Sequence, residues 1–123
     1  MLYHKNVYFP ECVKNLSPET GFYTLLYSGH AIEQSRVDKY GSFEVPSKLE
    51  LGFDQLLEIE VFDGANGLKA TKFLFRVPYD DKIDITLVTT PTNLPFELWC
   101  KSCWGNSVTD FHRTLDKSKY RQS

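Results

Sequence analysis

Residues 56–77 carry the clearest structural signal in the chain and read LLEIEVFDGANGLKATKFLFRV. Apolar residues alternate with acidic ones over 57–61, and this period of two is typical of a half-buried strand. Residues 63–67 then supply Asp, Gly and Asn, which tolerate the positive φ angles of a tight connection. On the return run, one face carries Phe73, Phe75 and Val77, and the other carries Lys72, Leu74 and Arg76. The pattern predicts a β-hairpin.

Two further strands are predicted after this hairpin, over 83–88 and 96–104, so that four strands form an antiparallel meander. Before the hairpin, the aromatic-rich run 22–27 predicts one more strand. Ser28 can then cap a helix that runs from about residue 29 to 39, because its hydroxyl can accept an N–H of the first turn.

A helix that precedes a meander favours the α+β class. We therefore predict one main helix packed on a four- to five-stranded antiparallel sheet. The alternative is an all-β transthyretin-like sandwich, in which residues 37–45 form a turn between strands and the helix is replaced by a strand. With 123 residues the chain has the length of one domain. We assign residues 22–123 to a single α+β domain and residues 1–21 to an N-terminal extension or an edge strand.

Net charge and cysteine content indicate which classes of partner and which cellular compartment to expect. The net charge is −2 and the pI about 5.9, which disfavours nucleic acid as a partner. The first residues lack the basic and apolar regions of a secretory signal, and no apolar run approaches the ~20 residues that span a bilayer. Three cysteines do not suit a closed disulfide framework. We expect a cytosolic protein without a membrane partner.

The Cys100–Cys103 motif is a CxxC. A redox role would place it at a helix start, and zinc would need a second pair. On a regular strand, positions three apart point to opposite faces, so the two thiols could bind one ion only if the strand carried a bulge. We interpret both cysteines as small apolar core residues and expect neither a metal nor a cofactor.

Several short blocks carry a family resemblance: Tyr27–Ala31, Asp38–Gly41, Arg76–Asp81, Trp104–Asn106 and Thr114–Tyr120. Together they resemble a family of small uncharacterised proteins of tailed phages, over roughly residues 22 to 120. That family is in turn similar to the RelE/ParE-like toxin scaffold, a helix with an antiparallel sheet used by RNA-cleaving toxins. The resemblance implies an origin in phage and a location in the host cytosol; it does not fix an activity.

The C-terminal tail supplies most of the predicted site. Its polar residues Asp110, His112 and Asp116 alternate with apolar residues, and exposing those apolar residues would cost free energy. We expect Phe111, Leu115 and Tyr120, together with Trp104, to be largely buried. The tail would then lie across the sheet or its edge and bring its polar residues towards Arg76 and Tyr79.

The predicted binding site therefore comprises Arg76, Tyr79, Asp110, His112 and Asp116. If the protein is catalytic, the candidate residues are His112, Arg76 and His30. His112 has carboxylates nearby that could orient its ring, and Arg76 suits a phosphate. Each has a structural alternative: a tail hydrogen bond for His112, a cross-strand ion pair with Glu58, Glu60 or Asp84 for Arg76, and a cap or surface position for His30.

Two functions follow from these observations. The first is a non-enzymatic phage accessory protein that binds a host protein or a small ligand. The second is an RNA-directed nuclease on the RelE-like scaffold. The mixed charge predicted for the Arg76 face argues against the nuclease, because a surface that cradles RNA is normally of one sign. A homo-oligomer is a further alternative, since an unpaired sheet edge can pair with another copy of the chain.

Overall fold

The computed structural model describes residues 4–8, 10–65 and 67–109. Seven strands and one α-helix follow in chain order: β1 (His4–Tyr8), β2 (Gly21–Tyr27), α1 (Gly29–Arg36), β3 (Lys48–Leu51), β4 (Leu56–Gly64), β5 (Gly67–Pro78), β6 (Ile83–Pro91) and β7 (Glu97–Ser107). Short 3-10 segments lie at Pro10–Leu16 and Phe53–Gln55. No helix within the described residues is long and apolar enough to cross a membrane.

All seven strands belong to one sheet, in the order β1-β4-β5-β6-β7-β2-β3. Neighbouring strands are antiparallel except β2 and β7, which are parallel. The sheet curls into a half-barrel. The predicted hairpin is present as β4 and β5, where Gly64 pairs with Gly67 and Gly67 takes a φ of 97°.

The predicted fold class is wrong in its proportions. Strands hold 54% of the structure and helices 17%, so the protein is a seven-stranded half-barrel with one helix, not a main helix on four or five strands. The sequence analysis left residues 1–21 as either an extension or an edge strand, and β1 is an edge strand of the sheet. It left the region of β3 undecided, because Pro46 interrupts the alternation there. The sandwich alternative is wrong as well, since residues 29–36 are helical and the strands form one sheet.

Helix α1 begins as predicted and ends earlier. The Ser28 hydroxyl accepts the Ala31 N–H at 3.0 Å, which is the expected N-cap. The helix ends at Arg36, three residues before the predicted end, because Val37 leaves helical geometry. Asp38 then begins a turn in which its carboxylate accepts the Tyr40 N–H at 3.1 Å. Gly41, with a φ of 100°, closes this turn and does not terminate the helix itself.

The hydrophobic core lies on the inner face of the curl. Each central strand contributes alternate side chains to it, among them Leu25, Ile59, Phe75, Leu87 and Leu98. Helix α1 packs mainly on β7, and the 3-10 segment Pro10–Leu16 packs on β4. The burial of these apolar side chains makes the main favourable contribution to the free energy of folding. The inner face is therefore the structural face, and the opposite, outer face is where a surface function can lie.

The second half of β7 has no strand neighbour on the side of β2, because the chain leaves β2 after Tyr27 to form α1. Side chains around the helix take the place of that strand. Gln34 accepts the Cys103 N–H at 3.0 Å, and Asp38 accepts the Gly105 N–H at 2.9 Å. Ser28 donates its hydroxyl to the Lys101 carbonyl at 3.0 Å. These bonds satisfy backbone groups that would otherwise form an open sheet edge.

Candidate binding surface on the outer face of the sheet

A buried ion pair lies on the outer face where β5 meets β6. Arg76 is 7% exposed and Asp84 2% exposed, and Arg76 Nε donates to Asp84 Oδ2 at 3.1 Å. Arg76 Nη2 also donates to the Ser107 carbonyl at 2.8 Å. The arginine thus links β5, β6 and β7 across one end of the sheet. Of the ion pairs considered for Arg76, the structure contains the one with Asp84.

The polar cluster continues onto β7. Thr86 is buried beside Arg76 and its hydroxyl donates to Asn106 Oδ1 at 2.5 Å. Trp104, the register partner of Thr86, is half-buried and so less covered than predicted. We call Arg76, Asp84, Thr86, Asn106 and Ser107 the polar end of the outer face. The hydrogen bonds described above join β5, β6 and β7 and hold these three strands in register.

Tyr79 does not lie with Arg76. Its ring packs edge-on against Phe43, with centroids 5.8 Å apart, and its hydroxyl accepts the Glu44 N–H at 3.2 Å. Phe43 belongs to the inner core, so Tyr79 lies on that side of the sheet while Arg76 lies on the outer face. Side chains near each other in sequence are separated here because alternate residues of β5 point to opposite faces.

The remaining predicted site residues are not brought to this cluster by the described chain. His30 is exposed in the first turn of α1, on the helix that covers the inner face. Asp110, His112 and Asp116 lie outside the described residues, as do Phe111, Leu115 and Tyr120. A site formed by Arg76 and the tail therefore stays a prediction, whereas the structure places Tyr79 away from Arg76.

The two cysteines of the CxxC motif face the same side of the sheet. The register between β6 and β7 shifts between Val88 and Thr89, so Lys101 is an extra residue that bulges out of β7. As a result Cys100 and Cys103 both point into the core and are fully buried. The expectation of opposite faces is wrong, because it assumed a regular strand.

The cysteine thiols act as one hydrogen-bonded pair. Their mutual hydrogen bond and burial raise the pKa of Cys100, and the same hydrogen bond lowers the pKa of Cys103. The Cys103 thiol also lies 3.3 Å from the Ala31 carbonyl. Within the described residues, no three His, Cys, Asp or Glu side chains are grouped so as to hold a metal ion. The pair therefore belongs to the core beneath α1.

A shallow depression opens on the outer face over β1, β4, β5 and β6. Its cavity volume is about 220 Å³, and its lining consists of Val7, Glu58, Glu60, Lys72, Leu74 and Val88. Apolar groups make most of the surface. One edge is fixed by an ion pair in which Lys72 Nζ lies 3.4 Å from Glu60 Oε2. A side chain placed here would meet an apolar floor and a charged rim.

An exposed apolar row occupies the other end of the outer face, over β2 and the first half of β7. Phe22 is 70% exposed, and Leu26 and Trp99, which are register partners, are each 41% exposed. Sequence reasoning missed this row. The signal was the presence of large apolar residues at both odd and even positions of 22–27, which indicates a strand that is apolar on both faces.

Comparisons with protein-family models, with curated proteins and with solved structures find no match for the chain. The resemblance to tailed-phage proteins and to the RelE/ParE-like scaffold is therefore still a prediction. What can be argued about function comes from the outer face itself.

Proposed function

We propose that the protein is a non-enzymatic accessory protein of phage type that binds a host protein through the outer face of its sheet. The observation that carries the proposal is the depression over β1, β4, β5 and β6. It presents apolar Val7, Leu74 and Val88 between charged side chains on a hydrogen-bonded sheet. A rigid concave surface of this kind suits an anchor side chain of a partner, because little ordering entropy is lost on binding.

The size of the depression favours a protein partner over a small ligand. Pockets for small molecules usually enclose about 300–1,000 Å³, and this one holds about 220 Å³ and is open to solvent. That volume accepts one large side chain. A small ligand of the size of a typical metabolite would leave much of its surface in water and would bind weakly.

The charges at the rim indicate the chemistry of the partner. Two acids, Glu58 and Glu60, and one base, Lys72, line the depression. Among the lining residues that the structure describes, the balance is one negative charge, so an apolar anchor flanked by basic residues would meet complementary charge. The same balance repels phosphate. Arg76, the residue predicted to hold phosphate in a nuclease, has Asp84 and the Ser107 carbonyl as partners.

The proposal is tested by placing a charge in the floor of the depression. Leu74→Arg adds a long cationic side chain there, and Leu68→Arg is the matched control, because Leu68 is exposed on the same strand and does not line the depression. Immobilised wild type and both variants are incubated with host lysate, and captured proteins are identified by mass spectrometry. Binding of the leading candidate is then measured with purified components.

We expect the wild type and Leu68→Arg to bind the same protein with similar affinity. Leu74→Arg should bind it at least about tenfold more weakly, as expected when a charge replaces an apolar contact at an anchor pocket. Thermal unfolding of each variant shows whether the fold is retained. Equal binding by Leu74→Arg would refute the proposed surface, and RNA cleavage that is lost in His112→Ala would replace the proposal with the nuclease.

A further inference from the structure

At the level of Thr24, the apolar row has a basic residue on one side and an acidic residue on the other. Glu50, the register partner of Phe22, adds an exposed acid on the β3 side. Thr24 lies in the middle of β2, between Phe22 and Leu26 on the same face. Its register partner on β3 is Lys48, and its register partner on β7 is Glu97. Neighbouring strands lie about 4.8 Å apart, so one base and one acid stand at matching distances on either side of the row.

We infer that the apolar row binds the same row of a second copy of the chain, forming a homodimer. A two-fold axis that runs along β2, in the plane between two facing sheets, exchanges the left and right sides of the row. Phe22 and Leu26 then meet their own counterparts. Lys48 of one copy faces Glu97 of the other, and the reverse pair forms at the same time. The arrangement of charge is complementary to itself.

This self-complementarity is the reason for choosing a second copy as the occupant. A partner with a uniformly basic or acidic surface would meet one like charge for each opposite one at Lys48 and Glu97, and like charges across an interface are unfavourable. In the dimer Lys48 and Glu97 each meet the opposite charge. The bond between the Thr92 hydroxyl and Glu97 Oε1, at 2.7 Å, holds the acid in a defined position.

The dimer is expected to be weak. Three side chains that are already partly covered bury on the order of 300 Å² in each copy, well below the ~800 Å² per partner of a stable interface. Association should therefore depend on protein concentration and on salt. The row is separate from the depression described above, so this inference does not rest on the proposed function.

Charge exchange gives a test that other occupants would not satisfy. Lys48→Glu places acid opposite acid at both borders of its own homodimer, and Glu97→Lys places base opposite base. Each variant alone should form homodimers about tenfold more weakly than the wild type. An equimolar mixture of the two should associate again, because both borders of the mixed dimer pair acid with base.

The measurement is sedimentation velocity of the full chain over a range of concentrations, with the two variants also mixed in equal amounts. Trp99→Ser serves as a second way to remove the interface, and Val37→Ser, at an exposed residue that follows α1, is its matched control. We expect dimers in the wild type, in Val37→Ser and in the mixture.

Several results would overturn the inference. A wild type that stays monomeric at high concentration excludes the dimer. Dimers that persist in Trp99→Ser place the interface elsewhere. A mixture that does not recover association shows that the row has another occupant, either a different protein or another segment of this chain. Equal host binding by Leu74→Arg and the wild type would refute the proposed function and leave all these results unchanged, so the two proposals fail separately.

Discussion

On the outer face of the sheet, the burial of side chains differs between the surroundings of the first and the second half of strand β7. Beside the second half, the charged Asp84 and the hydroxyl-bearing Thr86 of the adjacent strand β6 are buried. In the first half, next to β2, Trp99 and its neighbour Leu26 are exposed. Burial on this face therefore does not follow the hydropathy of the residue.

The difference has a physical consequence for each half. A buried ion pair must keep both partners, because removing one leaves a charge away from water. An exposed aromatic residue contributes little to stability and remains available to a partner. Substitutions in the second half should thus change folding, and substitutions in the first half should change association.

The largest expected effect is loss of the buried acid at the polar end. Asp84→Ala leaves the Arg76 guanidinium buried without that carboxylate and should lower the free energy of unfolding by about 3–5 kcal/mol. The measurement is urea unfolding at constant salt. The double variant Arg76→Met with Asp84→Leu should be much closer to the wild type, because neither charge then remains. A small effect of Asp84→Ala would mean that water reaches the pair.

The next effect concerns the contact between β7 and the turn after α1. A Cβ at Gly105 would lie 2.7 Å from Asp38 Oδ2. Gly105→Ala should therefore displace the carboxylate from the Gly105 N–H and cost about 1–3 kcal/mol. In an Asp38→Ala background the same substitution should cost much less. Equal costs in both backgrounds would show that Asp38 does not seal this part of the strand.

A smaller effect is expected at Tyr27, on the inner face beside the two cysteines. Its hydroxyl donates to the Pro46 carbonyl at 2.6 Å, and Tyr27→Phe should cost about 1 kcal/mol. Burial, with the nearby Cys100 and Cys103 thiols, raises the pKa of Tyr27 above its ordinary value of 10.0.

The sign of the pH dependence follows from that shift. Below pH 10 the phenol is protonated in both the folded and the unfolded chain, so its contribution to stability is constant. Above pH 10 the unfolded chain loses the proton first, and stability falls as pH rises. Unfolding measured from pH 8 to 11 should show a shallower alkaline decline in Tyr27→Phe than in the wild type. An identical decline would contradict the assignment to Tyr27.

The smallest effect on stability is expected in the exposed half. Trp99→Ser should change the free energy of unfolding by no more than about 0.5 kcal/mol, because the side chain is a surface residue. Comparing its urea transition with that of Asp84→Ala tests the contrast between the two halves directly. A loss above about 2 kcal/mol would mean that Trp99 stabilises the fold and is not held for a partner.

Local periodicity predicted the strands that pair with their sequence neighbours. The hairpin of β4 and β5 and the two strands after it could be read from alternation, because a period of two reports which side of a strand is buried. The Ser28 cap was equally legible. The fold class could not be predicted in this way. Strand β1 pairs with β4 and β2 pairs with β7, and pairing between strands far apart in the chain does not affect the local sequence pattern.

At the candidate site, too, some features could be predicted from the local sequence and others depended on distant strands. Arg76 could be selected from its residue type and its place opposite the aromatic stripe, and one of the ion pairs considered for it is the one observed. Its hydrogen bonds to both Asp84 and the Ser107 carbonyl could not be foreseen, because these two residues come from two other strands. The common face of Cys100 and Cys103 depends on a bulge that only pairing with β6 creates.

The sequence by itself determined the positions of most strands, the start of α1 and the hairpin turn, because these depend on side-chain alternation, capping and backbone freedom within a few residues. Tertiary structure decided the seven-strand order, the burial of the polar end and the exposure of the apolar row. Each of these depends on which distant strand lies alongside. A side chain's exposure is set by its neighbours in space, and on a curled sheet those neighbours come from chain segments far apart in sequence.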